Sequence, residues 1–156
     1  MNVERIGAAL GKIPSGVFIA TSTQDGDEIG MLASFVEQAG FNPPTITVAI
    51  GLDRRLNQAV EESNMIGINI LAEEDARLMK PFNQQDNRSP FDSLELEDNE
   101  YELPQLSDAL AFLACKIIGK IEGGDHIIYA AEVIDGVLND PSRSPMVRVR
   151  KNGFQY

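Results

Sequence analysis

Residues 30–44 read GMLASFVEQAGFNPP, and they join an expected strand to an abrupt turn. Small residues open the stretch, and small side chains let a ligand approach the backbone closely. Two prolines close it, because Pro43 and Pro44 remove two backbone donors and fix two φ angles. A strand that ends so abruptly, with a small and polar middle, is either a binding edge or an ordinary barrel corner. The stretch alone does not separate the two interpretations.

Segments on both sides of this stretch predict an antiparallel β structure. Six strands are expected, over residues 17–22, 28–39, 45–51, 65–71, 113–122 and 127–138, with a final short strand over 146–150. Asp25-Gly26 predicts a hairpin turn after the first strand, and residues 123–126 predict another after the fifth. In the third strand, Ile46, Val48 and Ile50 are expected to share one face.

Only short helices are expected between these strands. They cover residues 3–11, 53–63 and 73–82, and Asp53 is the expected cap of the second helix. Residues 83–90 and 101–110 are expected to be irregular. Six or so strands joined by hairpins predict a closed or nearly closed antiparallel barrel, and residues 1–156 are expected to form one domain.

The charge balance of the chain excludes some partners and directs the search for others. With 24 acidic and 13 basic residues, the formal charge is −11, which repels nucleic-acid phosphates and anionic membrane surfaces. An anionic ligand is expected near two basic islands. These are Arg54-Arg55 and a C-terminal group of Arg143, Arg148, Arg150 and Lys151. The sequence has no long apolar run and no signal-peptide pattern at its start, which predicts a cytoplasmic protein.

Most catalytic templates are absent from the sequence. One histidine and one cysteine leave no intrachain disulfide and no cysteine-based metal site. No GxGxxG, Walker or GxSxG motif occurs, which excludes the corresponding nucleotide-binding and hydrolase sites. Cys115 lies in the apolar run ALAFLACKII and is expected to be a buried, inert thiol.

Two groups of polar residues remain as candidates for a site. Asp53, Arg54 and Arg55 open a helix, where free backbone N–H groups and two cations favour an anion. Arginines that simply cover apolar surface are the alternative. His126 follows a glycine pair and Asp125, which places a titratable ring that Asp125 can orient at the mouth of a hairpin. A plain turn histidine is the alternative there.

Lys80 and Phe82 add a cation and an aromatic wall to the candidates, although Phe82 also suits a core position. An aromatic-lined cleft with a phosphate-sized positive corner suits a cofactor such as flavin mononucleotide (FMN).

The sequence resembles the flavin reductase-like family, the FMN-binding split barrels. The matching segments are IPSGVFIATS (13–22), GMLASFVEQAGFNPP (30–44), residues 45–71 with their DRRL, LSDALAFLACKI (106–117) and GDHIIYAAEV (124–133). Within the family it is most similar to the C-terminal flavin-reductase-like domain of photosynthetic flavodiiron proteins and to flavoredoxin. LASFVEQAGFNPP and the closing RKNGFQY carry that nearer likeness.

The resemblance implies a mainly β fold, a six-stranded antiparallel split β-barrel of Greek-key type with short flanking helices. It implies a homodimer, with FMN (FAD is possible) in a groove near the subunit interface and NAD(P)H as co-substrate. His126 would lie by the flavin and the nicotinamide. The cofactor-binding residues would be Ala33, Ser34, Phe35 and Val36 beside the isoalloxazine ring, Gln38 and Gly40 near the ribityl-phosphate chain, Asp53, Arg54 and Arg55 at the phosphate, and Lys80 and Phe82.

The chain departs from the family pattern at the flavin ring. Many reductases carry Thr-Ala-Asn-Ser where this chain has Leu32-Ala33-Ser34-Phe35, so a ring-contacting amide is missing, and Gly40 replaces a frequent serine. The implied function is an NAD(P)H-dependent flavin oxidoreductase, with hydride passing from nicotinamide C4 to flavin N5. The alternatives are an electron-carrier module that a protein partner reduces, and a flavin-free dimeric interaction domain.

Overall fold

The computed structural model describes residues 2–84 and 88–156. Its helices and strands are α1 (Val3–Leu10), β1 (Ser15–Gly16), β2 (Phe18–Gln24), β3 (Asp27–Ala33), β4 (Val36–Phe41), β5 (Pro44–Gly51), α2 (Leu56–Ser63), β6 (Met65–Ile70), α3 (Ala76–Met79), β7 (Leu96–Glu97), β8 (Gln105–Leu106), β9 (Ala111–Gly123), β10 (His126–Leu138) and β11 (Val147–Arg148). Two 3-10 turns, Lys80–Asn83 and Pro90–Ser93, lie between α3 and β7.

Seven of these strands form one antiparallel sheet in the order β3-β2-β6-β9-β10-β5-β4. The two edge strands, β3 and β4, are separated in the chain only by Ser34 and Phe35. Laid flat, seven strands would put the two edges about 29 Å apart. The link from Ala33 to Val36 reaches about 11 Å at most. The sheet must therefore curl until its two edges approach each other. The result is a split barrel: the chain connects β3 to β4 through Ser34 and Phe35, but no strand pairing closes the gap between them.

The curvature is concentrated at β-bulges, where one strand carries an extra residue. The register of β9 and β10 shifts between Ala130 and Ala131 and again between Val133 and Asp135. The register of β4 and β5 shifts between Gln38 and Gly40. All three irregularities lie in the half of the sheet that ends at β4.

The predicted fold class, mainly β and antiparallel with short helices, is confirmed. The main sheet has seven strands instead of six because the expected strand over 28–39 is two strands on opposite edges. The prediction failed there because Ser34 and Phe35 continue a strand-like pattern without glycine or proline. The short C-terminal strand pairs with β1, outside the main sheet.

Some of the other local predictions are confirmed, and others are wrong in part. The helix at 3–11, the Asp25-Gly26 turn and the 123–126 turn are confirmed. The helix predicted over 73–82 is a single α-helical turn followed by a 3-10 turn, and β8 interrupts the irregular segment 101–110. The irregular segment predicted over 83–90 lies partly outside the described residues.

The core inside the barrel is aliphatic. Ile46, Val48 and Ile50 of β5 share the buried face, as predicted, and each is at most 5% exposed. Helix α2 packs Leu56, Ala59 and Val60 into the same cluster, which explains why an otherwise polar helix begins there. Cys115 is buried, and burial raises the pKa of its thiol to about 12, so the expected inert thiol is confirmed. No helix in the described part of the chain is long and apolar enough to cross a membrane.

Asn69 ties the irregular segment before β9 to the sheet. Its side chain is fully buried, donates to the carbonyls of Ile19 and Pro104 (both 3.2 Å) and accepts from the N–H of Leu106 (2.7 Å). An apolar replacement would leave the buried Leu106 N–H without the acceptor that Asn69 supplies, and such a loss is costly. The Pro104 carbonyl would keep its bond from Thr21 Oγ1 at 2.8 Å.

We expect Asn69→Leu to lower the free energy of unfolding by about 2–3 kcal/mol, because the buried Leu106 N–H loses the acceptor that Asn69 supplies and the amide no longer joins the two segments. Urea unfolding followed by circular dichroism measures the change. Gln58→Ala is the control, since the exposed Gln58 amide bonds only to Glu62 on the same helix, and it should shift stability by less than about 0.5 kcal/mol. Equal effects of the two substitutions would contradict the assignment.

Candidate functional site

A cavity of about 500 Å³ lies along β3, the edge strand that is bonded to β2 alone in the main sheet. Residues 28–34 line it, and residues 53–56 bring in the start of α2. Its remaining lining comes from the segment around β1 (Ser15, Val17), from the two 3-10 turns (Phe82, Asn83, Pro90) and from the C-terminal segment (Arg148, Arg150, Tyr156). An edge strand offers unpaired backbone N–H and C=O groups to a ligand. The wall along β3 therefore combines polar backbone groups with apolar side chains.

Gly30 is needed for packing against aromatic rings. A Cβ on Gly30 would lie 2.7 Å from Cζ of Phe91 and 2.9 Å from Cε1 of Phe82. These two phenylalanines meet edge to face, with ring centroids 5.4 Å apart. The sequence suggested that Gly30 lets a ligand approach the backbone. In the structure, its lack of a side chain instead makes room for two phenylalanine rings, and Phe82 lines the cavity.

Ser34 carries the one orphaned side-chain atom among the residues that the structure describes. Its Oγ is buried and has no hydrogen-bond partner in the protein. Ser34 also lines the cavity. A buried, unpaired hydroxyl costs stability, and native proteins rarely retain one without a reason. Its position fits a ligand that offers a polar atom at the end of β3.

Phe35, the other residue of the link, belongs to an aromatic group at the mouth of the cavity. Its ring centroid lies 5.6 Å from that of His126 and 5.7 Å from that of Tyr156. The guanidinium carbon of Arg150 lies 5.1 Å from the Phe35 centroid, within the range of a cation–π contact. The backbone carbonyl of Phe35 accepts from the N–H of Ala49, which holds the ring in place.

The ring of His126 is held at both nitrogens. Nδ1 lies 2.7 Å from Oδ1 of Asp125, and Nε2 lies 2.9 Å from the hydroxyl of Tyr156. Because an ionised carboxylate only accepts, Nδ1 carries a proton and donates to Asp125, and in the neutral ring Nε2 accepts from Tyr156. The hydrogen bond from His126 lowers the pKa of Asp125, and burial raises the pKa of Tyr156. Asp125 therefore orients the ring as the sequence suggested.

Arg54 and Arg55 both line the cavity, at the start of α2. Their carboxylate contacts are long and exposed: Arg54 Nε to Asp53 Oδ1 is 3.6 Å, and Arg55 Nη2 to Asp27 Oδ2 is 3.5 Å. Exposed pairs of this kind contribute little, so both guanidinium groups remain available to an anion.

Asp53 does not cap α2, which corrects the sequence-based prediction. The helix begins at Leu56, and the preceding residue, Arg55, makes no side-chain capping bond. A turn from Gly51 to Arg54 intervenes, closed by the Arg54 N–H on the Gly51 carbonyl at 3.0 Å. Asp53 instead lies in the cavity lining beside Arg54.

The structure brings together about half of the residues that the resemblance assigned to the cofactor. Those in the cavity lining are Ala33, Ser34, Asp53, Arg54, Arg55 and Phe82. Phe35 and His126 lie at its mouth, against the lining residue Tyr156. Val36, Gln38, Gly40 and Lys80 are not part of the lining.

The reasons for these separations are local. Val36 points into the core and is 7% exposed. Gln38 and Gly40 lie on β4, which leaves the link along the opposite edge of the sheet, and Gln38 bonds to the Gly40 carbonyl. Lys80 is exposed at the start of a 3-10 turn. Their roles toward a cofactor stay predictions.

The resemblance assigned no role to Arg148, Arg150 and Tyr156, which line the cavity. The two arginines belong to the C-terminal basic island, where the charge pattern places an anionic ligand. Tyr156 has no comparable signal, because a terminal tyrosine shows no periodicity and its contacts with Phe35 and His126 arise only from the fold.

Comparisons with known proteins assign the chain to a family. A family model described as a flavin reductase-like domain matches residues 10–155. Diflavin flavoprotein A 1 of Synechocystis sp. is 33% identical over 151 residues, which cover 95% of this chain and 26% of that protein. This chain thus spans about a quarter of such a relative.

A shorter relative and a solved structure extend the comparison. The reductase component of a 4-nitrophenol 4-monooxygenase/4-nitrocatechol 2-monooxygenase from Rhodococcus opacus is 31% identical over 126 residues, with 81% of this chain and 67% of that protein covered. The NADH:FAD oxidoreductase SgcE6 of Streptomyces globisporus, in complex with NAD and FAD fragments, superposes with a TM-score of 0.81 at 26% identity. That match covers 90% of this chain and 84% of the other. The resemblance read from the sequence is confirmed.

We expect Ser34→Ala to raise the free energy of unfolding of the ligand-free protein by about 1 kcal/mol, because the substitution removes a buried hydroxyl that has no partner. Urea unfolding without added flavin measures it.

Ser22→Ala is the matched control. The Ser22 hydroxyl is buried but bonded to Ser63 Oγ (2.8 Å) and to the Met65 carbonyl (3.0 Å), so its loss should destabilise by about 1 kcal/mol. If both substitutions destabilise alike, Ser34 has a protein partner and is no indicator of a ligand.

Proposed function

This chain belongs to the flavin reductase-like family, and we propose that it is an oxidoreductase that binds FMN and reduces it with NADH or NADPH. One observation carries the proposal. Ser34, whose buried hydroxyl has no protein partner, lines a cavity of about 500 Å³ that the arginine pair Arg54-Arg55 also lines. A ligand with a polar planar end and an anionic end matches both features.

The polar edge of the flavin ring would lie along β3. There the edge-strand backbone and Ser34 Oγ offer donors and acceptors, and Ala33 leaves room for close approach. The phosphate would lie between Arg54 and Arg55, where two guanidinium groups give charge-assisted hydrogen bonds. These residues bind and orient the cofactor, and none of them has to act as a nucleophile.

When bound, flavin supplies an acceptor at N5 for the hydride that nicotinamide C4 donates. The protein then has to hold two rings face to face and keep water away. Phe35 and Tyr156 supply apolar ring surface beside the cavity, and Asp125 fixes the His126 ring among them. We assign His126 to positioning the nicotinamide, with no proton transfer required of it.

A purified sample tests the proposal through its colour. We expect visible flavin absorbance, FMN as the released flavin by mass, and bleaching of the bound flavin when NADH or NADPH is added without oxygen. Riboflavin should bind more weakly than FMN by tenfold or more, since it lacks the phosphate that the arginines would hold.

Two results would contradict the reductase proposal, and each would favour a different alternative. Bound flavin that neither nicotinamide bleaches would favour the electron-carrier module reduced by a protein partner. Equilibrium dialysis with no FMN or FAD bound at tens of micromolar would favour the flavin-free interaction domain. The single domain and the cytoplasmic location stay predictions from the sequence.

We propose in addition that the chain forms a homodimer through β9 and β10. Several exposed aliphatic side chains lie on this hairpin. They are Ile118, Ile121, Ile128, Ile134, Val137 and Leu138. Ile121 and Ile128 are directly opposed in the sheet and are 67% and 38% exposed. An exposed apolar cluster of this kind is typical of an interaction surface.

We expect Ile121→Asp to convert the dimer to a monomer, because a carboxylate would have to lose water inside an apolar contact. Light scattering after size exclusion measures the mass. Ile13→Asp is the matched control: Ile13 is 58% exposed but lies after α1, away from the hairpin, and its substitution should leave the mass unchanged. A wild-type monomer, or a dimer that survives Ile121→Asp, would contradict this interface.

A further inference from the structure

We infer that Arg148 and Arg150 form a second anion subsite of the cavity, which binds the pyrophosphate of a dinucleotide. FAD and NAD(P)H share this group, and the subsite is separate from the Arg54-Arg55 pair. The inference rests on the proposed function, because it concerns what the same cavity binds beyond the phosphate of FMN.

The position of the two arginines is the first line of support. Both line the cavity. Arg148 lies on β11 directly opposite Ser15 of β1, which is another lining residue. A spacing of two places both arginine side chains on one side of an extended segment. Arg150 lies against the Phe35 ring and bonds through Nη1 to the Gly153 carbonyl at 3.1 Å.

The second line of support is that neither arginine is paired with a carboxylate among the described residues. Within residues 2–84 and 88–156, neither Arg148 nor Arg150 makes a salt bridge, and the closest polar contact given to the Arg148 guanidinium is Met79 Sδ at 3.6 Å. Arg143, on the same segment, is instead paired with both Glu74 and Asp75. In a chain with 24 acidic and 13 basic residues, two such arginines in one cavity are unusual, and they leave strong donors free for an anion.

The segment that carries them is rigidly anchored, which makes the subsite preorganised. The buried carboxylate of Asp75 accepts from the Ala72 N–H at 2.8 Å and from Arg143. The Met146 N–H donates to the Leu71 carbonyl at 2.9 Å. These bonds fix the chain two residues before Arg148, so the arginine side chains do not depend on a loose tail.

Charge matching identifies the ligand class. FMN has one phosphate, and the Arg54-Arg55 pair is sufficient for it. A second arginine pair from another part of the chain matches a second anionic group, and a dinucleotide brings such a group in its pyrophosphate. Lys151 lies in the same segment but does not line the cavity, which makes it a matched control for charge.

The test compares affinities in four proteins: wild type, Arg54→Gln/Arg55→Gln, Arg148→Gln/Arg150→Gln and Lys151→Gln. Flavin fluorescence titration gives the dissociation constants of FMN and FAD, and calorimetry gives that of NADP⁺ on FMN-loaded protein. We expect Arg148→Gln/Arg150→Gln to lower the affinity for FAD or for NADP⁺, relative to that for FMN, by tenfold or more. Arg54→Gln/Arg55→Gln should weaken FMN and FAD together, and Lys151→Gln should leave the ratios within about twofold.

Each outcome decides a point. A selective loss for FAD identifies the flavin dinucleotide as the source of the pyrophosphate, and a selective loss for NADP⁺ identifies the nicotinamide dinucleotide. Equal weakening of FMN and the dinucleotides, or no weakening, would overturn the second subsite while leaving the proposed function intact. A wild type that binds FMN but neither dinucleotide would overturn the second subsite and would also contradict reduction by NADPH. A wild type that binds no flavin would overturn the proposed function itself. Thermal unfolding of each variant checks that it is folded.

Discussion

The short link between the two edges of the sheet constrains everything else in this structure. Ser34 and Phe35 join β3 to β4, and the chain allows about 11 Å for a gap that would be about 29 Å in a flat sheet. No register of the seven strands satisfies this link without strong curvature. The bulges in β9–β10 and β4–β5 provide that curvature, since an extra residue on one strand bends the ladder. The barrel is a consequence of the link and the bulges together.

The same link also borders the cavity. A closed barrel would pair every edge group, but here β3 and β4 remain edges and only the chain connects them. The cavity lies along the free edge of β3. The Phe35 carbonyl is used for the fold, because it accepts from Ala49. The Ser34 hydroxyl is left unpaired beside the cavity. One residue of the link therefore serves the fold through its backbone, and its neighbour keeps a buried hydroxyl without a protein partner.

The sequence predicted the parts of the fold that depend on local pattern. The alternation of Ile46, Val48 and Ile50 and the Asp25-Gly26 turn needed no tertiary information, because periodicity and turn chemistry are local. The break in the strand at Ser34-Phe35, by contrast, could be recognised only with tertiary information. Both residues fit a continuous strand, and only the requirement that each half pair with a different neighbour separates them.

The candidate site shows the same division. The arginine pair was identified by its charge and its place at an expected helix start, and Ser34 by its position in a family pattern, and the cavity brings them together. The aromatic group of Phe35, His126 and Tyr156 joins residues from the link, the β9–β10 hairpin and the C-terminal segment. Its members are far apart in sequence, so no motif contains them. Asp53 was assigned to a helix cap because aspartate favours that position, whereas a turn before α2 displaces it.

The distribution of charge limits what the cavity can accept. At physiological ionic strength, charges are screened beyond about 8 Å, so the overall charge of −11 matters less to a bound ligand than the side chains that line the cavity. The lining has four arginines and two carboxylates. Along β3, between Gly30 and Ala33, it has only small and aliphatic side chains. A ligand that fits must be neutral where it lies along the strand and anionic where it reaches the arginines, and a flavin phosphate ester has this distribution of charge. A ligand with charge spread along its length would place anionic groups against Met31 and Leu32, where nothing replaces the water that they lose.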